Sequence, residues 1–346
     1  MKLSLFDYDL PRKLIAQYPT RRRDQSRLLV LDRSSGRTVH TRFHDIVSYF
    51  RSGDALVINN TKVFKARLLG KRVTGGRVEL FLVRPVEDMP GETWEALAYP
   101  SRRLKEGETV HFSNGGQVSL VADLGGGRWQ VSFSSRTGRE RIISRHGHVP
   151  LPKYISRDDQ PTDIRRYQTV FARKDKTGAV AAPTAGFHLT RGLLEKIRDR
   201  GVTVSEITLH VGPGTFKPIT TTTIEGHTVE PEYAELPANV AAALNRTREK
   251  GGRIFAVGTT SVRTLESATI RGGEIQPLAG MVDLFIRPGH RFRLVDHLIT
   301  NFHIPKSSLL LLVSAFAGRG KVLATYADAV RGEYRFYSYG DAMLIL

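Results

Sequence analysis

Between Lys65 and His148 the chain is written almost entirely as short alternating segments, among them RVELFLVRP, TWEALAYP, ETVHFS, GQVSLVAD and RWQVSFS. Glycine-rich or proline-containing turns separate them at the spacing of a small antiparallel barrel, and such a texture leaves little room for helices. It also divides the chain. Residues 1–64 and 149–346 have mixed α and β character, so the expected architecture is a larger discontinuous mixed α/β domain with a small antiparallel β-barrel, 65–148, inserted into it. At 346 residues with 40% apolar composition, both parts can hold cores.

The flanking regions repeat one layout, an apolar strand running into polar residues and then a helix start. RLLVLDRSSGRTVHTRF reads as a hairpin turning at Ser34–Gly36, followed by a short helix around Ile46–Phe50. ALVINNTKVF is a buried-strand run halted by Asn59, Asn60 and Thr61, and polar residues at a strand end commonly face a ligand crevice. VTVSEITLHVGPGTF sets Ile207, Leu209 and Val211 on one strand face and Glu206, Thr208 and His210 on the other. Gly212 and Gly214 then allow close backbone approach, with Thr215 and Phe216 after them. RIFAVGTTSVRTLESA places Thr259 or Thr260 at a helix cap, with Arg263 and Glu266 on one side of the helix. That helix start suits a carboxylate or phosphate; the alternative is an ordinary capped helix with an exposed ion pair. LITNFHIPKSSLLLLVSAFAG presents Asn301 and His303 before a helix capped by Ser307 or Ser308.

AVAAPTAGFHLT, residues 179–190, uses residues too small to bury much area. It ends on His188, just ahead of a helix over 191–200 capped by Thr190 and closed by Gly201. The loop delivers an imidazole near a helix N-terminus, where the dipole favours the neutral form; the alternative is a plain turn with a polar surface histidine.

Fifty-two Lys and Arg against thirty-four Asp and Glu leave a net charge of +18. That field attracts polyanions, nucleic acid first among them. Arg21, Arg22, Arg23 and Arg27 form a candidate phosphate-binding cluster, and the barrel's Arg67, Lys71, Arg72, Arg77, Arg102, Arg103 and Lys105 with Trp94 and Tyr99 suit RNA, although a purely structural barrel accounts for them equally. There is no cysteine, which removes disulfides, thiolate zinc sites, iron–sulfur clusters and a cysteine nucleophile. The N-terminus has no signal-peptide run and Leu309–Val313 is far too short to span a bilayer, so a cytoplasmic protein without membrane contact is expected. No zinc, P-loop or dinucleotide fingerprint is present.

Taken in order, FDYDLPRKLIAQYP, RLLVLD, NNTKVFKARLLG, VPLPKYI, RYQTVFA, AVAAPTAGFHLT, TLHVGPGTF, AVGTTSVRTLES, LITNFHIPKSSLLLLVSAF and YRFYSYGDAM resemble the S-adenosylmethionine:tRNA ribosyltransferase-isomerases of queuosine biosynthesis, from Phe6 to Met343. The chain departs from the family pattern at Phe187 and Leu189 (usually GLHFT), at Lys153 (usually proline) and at Glu230 (usually histidine), while His227 and Glu232 remain. The resemblance implies transfer and isomerisation of the ribosyl unit of S-adenosylmethionine onto 7-aminomethyl-7-deazaguanine at the tRNA wobble position, giving epoxyqueuosine, adenine and methionine. S-adenosylmethionine is then a substrate, neither cofactor nor metal is called for, and a monomer is expected. Such chemistry needs a base beside the sulfonium, donors for departing adenine and a clamp for the methionine carboxylate. His188 and His210 are the acid/base candidates; Glu266, Asp341 and Glu206 are candidates to hold the amine or orient an imidazole; Thr259, Thr260 and Arg263 are candidates for the carboxylate. Thr184, Thr208, Gly212, Gly214, Thr215, Phe216, Asn301 and His303 complete the expected substrate wall. A noncatalytic RNA chaperone or an S-adenosylmethionine-dependent methyltransferase are the competing classes.

Overall fold

The computed structural model describes residues 1–86, 89, 92–216 and 219–346, with only the backbone of Asn114, Thr215 and Phe216. Two sheets carry most of it. Among the described residues the larger has nine strands, in the order Leu278–Val282, Glu232–Leu236, Thr203–Leu209, Ala55–Asn59, Ile254–Val257, His297–Asn301, Ala342–Ile345, Arg27–Leu31 and Thr38–Arg42. The four central strands from Thr203–Leu209 to His297–Asn301 are mutually parallel, and antiparallel strands close the sheet on both sides.

Parallel strands covered on both faces must be apolar throughout. Ala55–Asn59 and Ile254–Val257 are buried at every position. Period-two alternation sorts their side chains between two cores: Leu29, Leu31, Val57 and Ala256 pack under the helices Ala238–Glu249, Gly258–Ser267, Ser308–Ala317 and Arg319–Arg331. Leu28, Val30, Leu56 and Phe255 face the helix Arg191–Asp199 and the 3-10 helix Phe43–Tyr49. In Arg191–Asp199 the expected apolar stripe Leu193, Leu194 and Ile197 is buried, Thr190 Oγ1 accepts the Leu193 N–H at 3.1 Å, and Gly201 adopts φ +81°. Each of the three buried side chains stabilises the helix by about 1.5–3 kcal/mol.

The second sheet is the barrel. Arg67–Arg72, Arg77–Pro85, Glu92–Tyr99, Arg128–Phe133, Gln117–Gly125 and Thr109–His111 pair in that order, and the last closes on the first through Lys71↔His111 and Arg72↔Val110. Leu80, Leu82, Val118, Leu120, Trp129 and Val131 fill it. Closure is tight at Gly70, where an added Cβ would stand 2.5 Å from Val110 Cγ1. The helix Arg136–His146 tucks Ile142 against this core, and Gly147–His148 pairs with Arg67–Leu68, so the chain leaves the barrel beside where it entered.

Among the described residues no single helix is long and apolar enough to cross a membrane.

Candidate functional site

The carboxyl ends of four parallel strands make one edge of the large sheet, the position where open α/β sheets carry ligands. Across that edge, in sheet order, come His210, then Asn59–Thr61, then Gly258–Thr260, then Asn301. Adjacent strands lie about 4.8 Å apart, so His210 and Asn301, three strands apart, are separated by about 14 Å. The two ends differ in chemistry.

At the Asn301 end the histidine, asparagine and threonine side chains bond one another. His188 is buried; its Nε2 accepts from Asn301 Nδ2 at 3.1 Å and its Nδ1 donates to Ser26 Oγ at 2.7 Å. Thr184 Oγ1 donates to Asn301 Oδ1 at 3.0 Å. Burial, and after it the charges of Arg23 and Arg335, push the His188 pKa down to about 3. The imidazole is therefore neutral, as expected, but desolvation is the first cause. The Phe43 ring packs 5.0 Å away. His303 is a core residue: its Nε2 bonds Thr300 Oγ1 at 2.9 Å and burial lowers its pKa to about 3. That corrects its expected place on the substrate wall, since its strand-end position turns the ring inward.

Asp341 and Glu266 are also built in. Asp341 accepts from the Arg27 and Arg335 backbone N–H groups, both at 2.9 Å, and from Arg27 Nε. Glu266 lies in the last turn of its helix, away from the sheet edge, and accepts the N–H groups of Arg293, Leu294 and Val295 at 2.9–3.1 Å. Its carboxylate anchors a loop, with His290 Nε2 3.6 Å from Oε2. In the arginine cluster, Arg23 donates to the carbonyls of Phe187 and Arg165, and Arg27 to those of Gly332 and Glu333 while lying over the Tyr334 ring. Burial first, then Arg166, lowers the Arg23 pKa to about 10. Arg21 and Arg22 are the exposed pair, so the expected phosphate cluster is half structural.

The His210 end is less closed. Thr208, Glu206 and His210 share a strand face, as the alternation requires, and meet the asparagine end of the neighbouring strand. Thr208 Oγ1 donates to Asn60 Oδ1 at 2.8 Å, and Asn60 Nδ2 donates to Glu206 at 3.1 Å. His210 Nδ1 bonds Thr61 Oγ1 at 2.8 Å, and its ring stacks on Tyr233. No described residue takes its Nε2, and in front of that atom stands Gly178, where a Cβ would come within 2.9 Å. Burial lowers the His210 pKa, Lys176 adds to that, and Glu235 opposes it. Thr61 and Gly178 were not singled out as partners for this ring; only the fold brings them together.

Next along the edge, the helix Gly258–Ser267 starts two residues earlier than a Thr259 cap requires. Its N-cap is Val257 and no side chain caps it, so Thr259 and Thr260 sit inside the first turn, which Gly258 enters at φ +85°. Thr260 Oγ1 is buried without a partner. Gly212 donates its N–H to Glu232 at 2.8 Å, and at Gly214 an added Cβ would press on Glu230 at 3.1 Å, so both glycines serve packing. The side chains of Thr215 and Phe216 lie outside the described residues. Glu230 bonds Arg128 of the barrel at 2.5 Å, which ties the two sheets together.

The family model described as queuosine biosynthesis protein matches residues 3–345. The chain belongs to this family. Enzymes named S-adenosylmethionine:tRNA ribosyltransferase-isomerase from Trichlorobacter lovleyi and Citrifermentans bemidjiense are 46% and 49% identical to it, each match covering all of both chains. A crystal structure of an S-adenosylmethionine tRNA ribosyltransferase from Thermotoga maritima is 36% identical, covering 99% of this chain and 100% of its own, with a TM-score of 0.56. For this family member, then, the sheet edge is the place to look for chemistry on a nucleoside and an RNA.

Proposed function

We propose that the chain is an S-adenosylmethionine:tRNA ribosyltransferase-isomerase. It transfers and isomerises the ribosyl unit of S-adenosylmethionine onto 7-aminomethyl-7-deazaguanine at the wobble position of tRNA, giving epoxyqueuosine and releasing adenine and methionine in the cytoplasm. The single observation that carries this reading is full-length membership of the family at 45–49% identity to enzymes of that name. Within it, His210 is the acid/base group. Thr61 fixes the ring through Nδ1, leaving Nε2 to take or give the proton, and a lowered pKa keeps the ring neutral and able to accept at pH 7. His188, bonded at both nitrogens, positions the 179–190 loop.

The barrel, acting as a separate inserted domain, offers tRNA its outer face. Leu69, Glu79 and Tyr99 lie side by side across three strands, and Tyr99 is 76% exposed, with Lys71, Arg77, Arg102 and Arg103 exposed around it. A free aromatic ring among cations is a stacking platform for an unpaired base. Trp94 does not serve in this way: it packs against Phe64 and under Arg139.

Incubation with S-adenosylmethionine and tRNA bearing the aminomethyl base should release adenine and methionine in equal amounts and leave epoxyqueuosine in the digested tRNA. S-adenosylhomocysteine as product would make the protein a methyltransferase, and absence of turnover with tight tRNA binding would make it a binding protein.

A further inference from the structure

Next to His210 one face of the large sheet is open. Register sets Thr208 against Glu235, Tyr233 against Met281 and Glu235 against Ala279, and the His210 N–H donates to the Tyr233 carbonyl at 2.9 Å. Period-two alternation then puts His210, Tyr233, Glu235, Ala279 and Met281 on the same side of three adjacent strands. The other side of those strands is core, where Leu209, Ala234 and Val282 pack together. On the His210 side, Tyr233 is 39% and Met281 53% exposed, and neither belongs to a hydrophobic core. Leu278–Val282 is the edge strand, so the row His210, Tyr233, Met281 runs from the acid/base ring out to solvent.

The chemistry of that row suits a flat heterocycle. His210 covers one side of the Tyr233 ring, with the centroids 5.7 Å apart and the planes 23° from parallel. On the other side the cross-strand neighbour is Met281, whose unbranched thioether adapts its shape and packs well on aromatic surfaces. Beside the ring, the Glu235 carboxylate is paired with Lys176 at 2.5 Å, so the border presents no uncompensated negative charge to an approaching polyanion. A free nucleoside is usually enclosed on most of its surface, whereas this row is open at the sheet edge, as a base still attached to a polymer requires. Bases splayed from RNA loops are commonly held by stacking on exposed aromatic rings. The net charge of +18 draws such a polymer to the protein.

We propose that Tyr233 stacks the wobble-position base of the tRNA and holds it beside His210, with Met281 as the outer lip of the platform. The identity of the base rests on the proposed activity. Tyr233 is thus a substrate-binding residue of the reaction: it meets the base directly and does not act through the imidazole it packs against. Its ring is what matters, and its hydroxyl is dispensable.

Steady-state kinetics with tRNA bearing the aminomethyl base, beside thermal melting, tests this. Tyr233→Leu should raise the KM for tRNA about tenfold, the scale of one lost base stack. Its kcat, the pH profile of kcat and the KM for S-adenosylmethionine should each stay within threefold or unshifted. Tyr233→Phe, which keeps the ring, should stay within threefold of wild type throughout. Met281→Asp leaves the His210–Tyr233 stack in place and should raise the tRNA KM at least threefold, while Val39→Asp, on the opposite edge strand, should change it less than twofold. An unchanged tRNA KM in a folded Tyr233→Leu would overturn the assignment; if that variant does not fold, an unchanged tRNA KM in Met281→Asp would do so. A loss confined to S-adenosylmethionine would give the ring to adenine instead, and a fall in kcat with a shifted pH profile would make Tyr233 a support for His210 alone; either overturns it. If the wild-type protein turns over neither substrate, the activity falls along with the platform. If it does turn over and the variants are indifferent, only the platform falls.

Discussion

The two ends of the sheet edge look alike in sequence and differ in structure. Each presents a histidine next to asparagine and threonine side chains. Around His188 the hydrogen bonds close on themselves, through Ser26, Asn301 and Thr184, and the imidazole is buried at the foot of a small pocket with Arg23, Arg166 and Tyr339. From His210 to Arg263 they stop short: His210 Nε2, Thr260 Oγ1 and Arg263 Nη2 have no described partner. A network complete in the free protein holds shape; one left incomplete has groups that a substrate can satisfy.

The largest expected effect follows from that contrast. His210→Ala should slow single-turnover ribosyl transfer by about two to four powers of ten, the usual contribution of a positioned acid or base, with Tm little altered. His188→Ala should reduce Tm and the folded fraction, but the rate per folded molecule should stay within tenfold of wild type. The reverse pattern, measured by single-turnover kinetics beside thermal melting, would exchange the roles of the two rings.

The second effect concerns pH and belongs to the closed end. His188 and His303 both have folded pKa values of about 3, below the ordinary value of 6.5. Between those values the unfolded chain binds more protons, so stability is complete above about pH 6.5 and falls as pH falls toward 3. Two such groups give a slope of up to about 2.7 kcal/mol per pH unit near pH 5. Urea midpoints measured from pH 7 to pH 4 should therefore drop, and the drop should shrink in His188→Phe if that residue accounts for half of it.

Smaller is the effect of Glu266→Ala. Three backbone N–H groups lose their acceptor, and stability should fall by about 3 kcal/mol, in line with the cost of leaving buried donors unpaired. A loss of turnover in molecules that remain folded would instead return Glu266 to the active site. The smallest effect lies at the RNA surface: replacing Arg21 and Arg22 with glutamate should flatten the salt dependence of tRNA binding by about one unit of slope for each lost phosphate contact. The same reversal at the internally bonded Arg27 should cost stability instead.

Much of the fold was legible in the chain because the physics involved is local. Alternation over 65–148 encodes the barrel, Thr190 and Gly201 mark both ends of one helix, and the face shared by Glu206, Thr208 and His210 follows from strand period alone. The site was legible only in part. Sequence places a polar residue at a strand end but does not state whether its partners come from the chain or from a ligand. Asn301 and Thr184 lie 117 residues apart and consume each other; Glu266 meets a loop 27 to 29 residues onward. Gly258 begins its helix before the threonines that the cap rule favours. For Arg263 the surroundings were not legible: Glu232 and the Leu284 carbonyl arrive from distant segments.

The central claim is that the His210 end meets the substrate and the His188 end does not. Imidazole resonances of the two rings, followed by nuclear magnetic resonance as S-adenosylmethionine is added at pH 7, test it most directly. The account predicts that the His210 signals move with saturation at one equivalent while those of His188 stay where they are. Movement of His188 with His210 unmoved would contradict it.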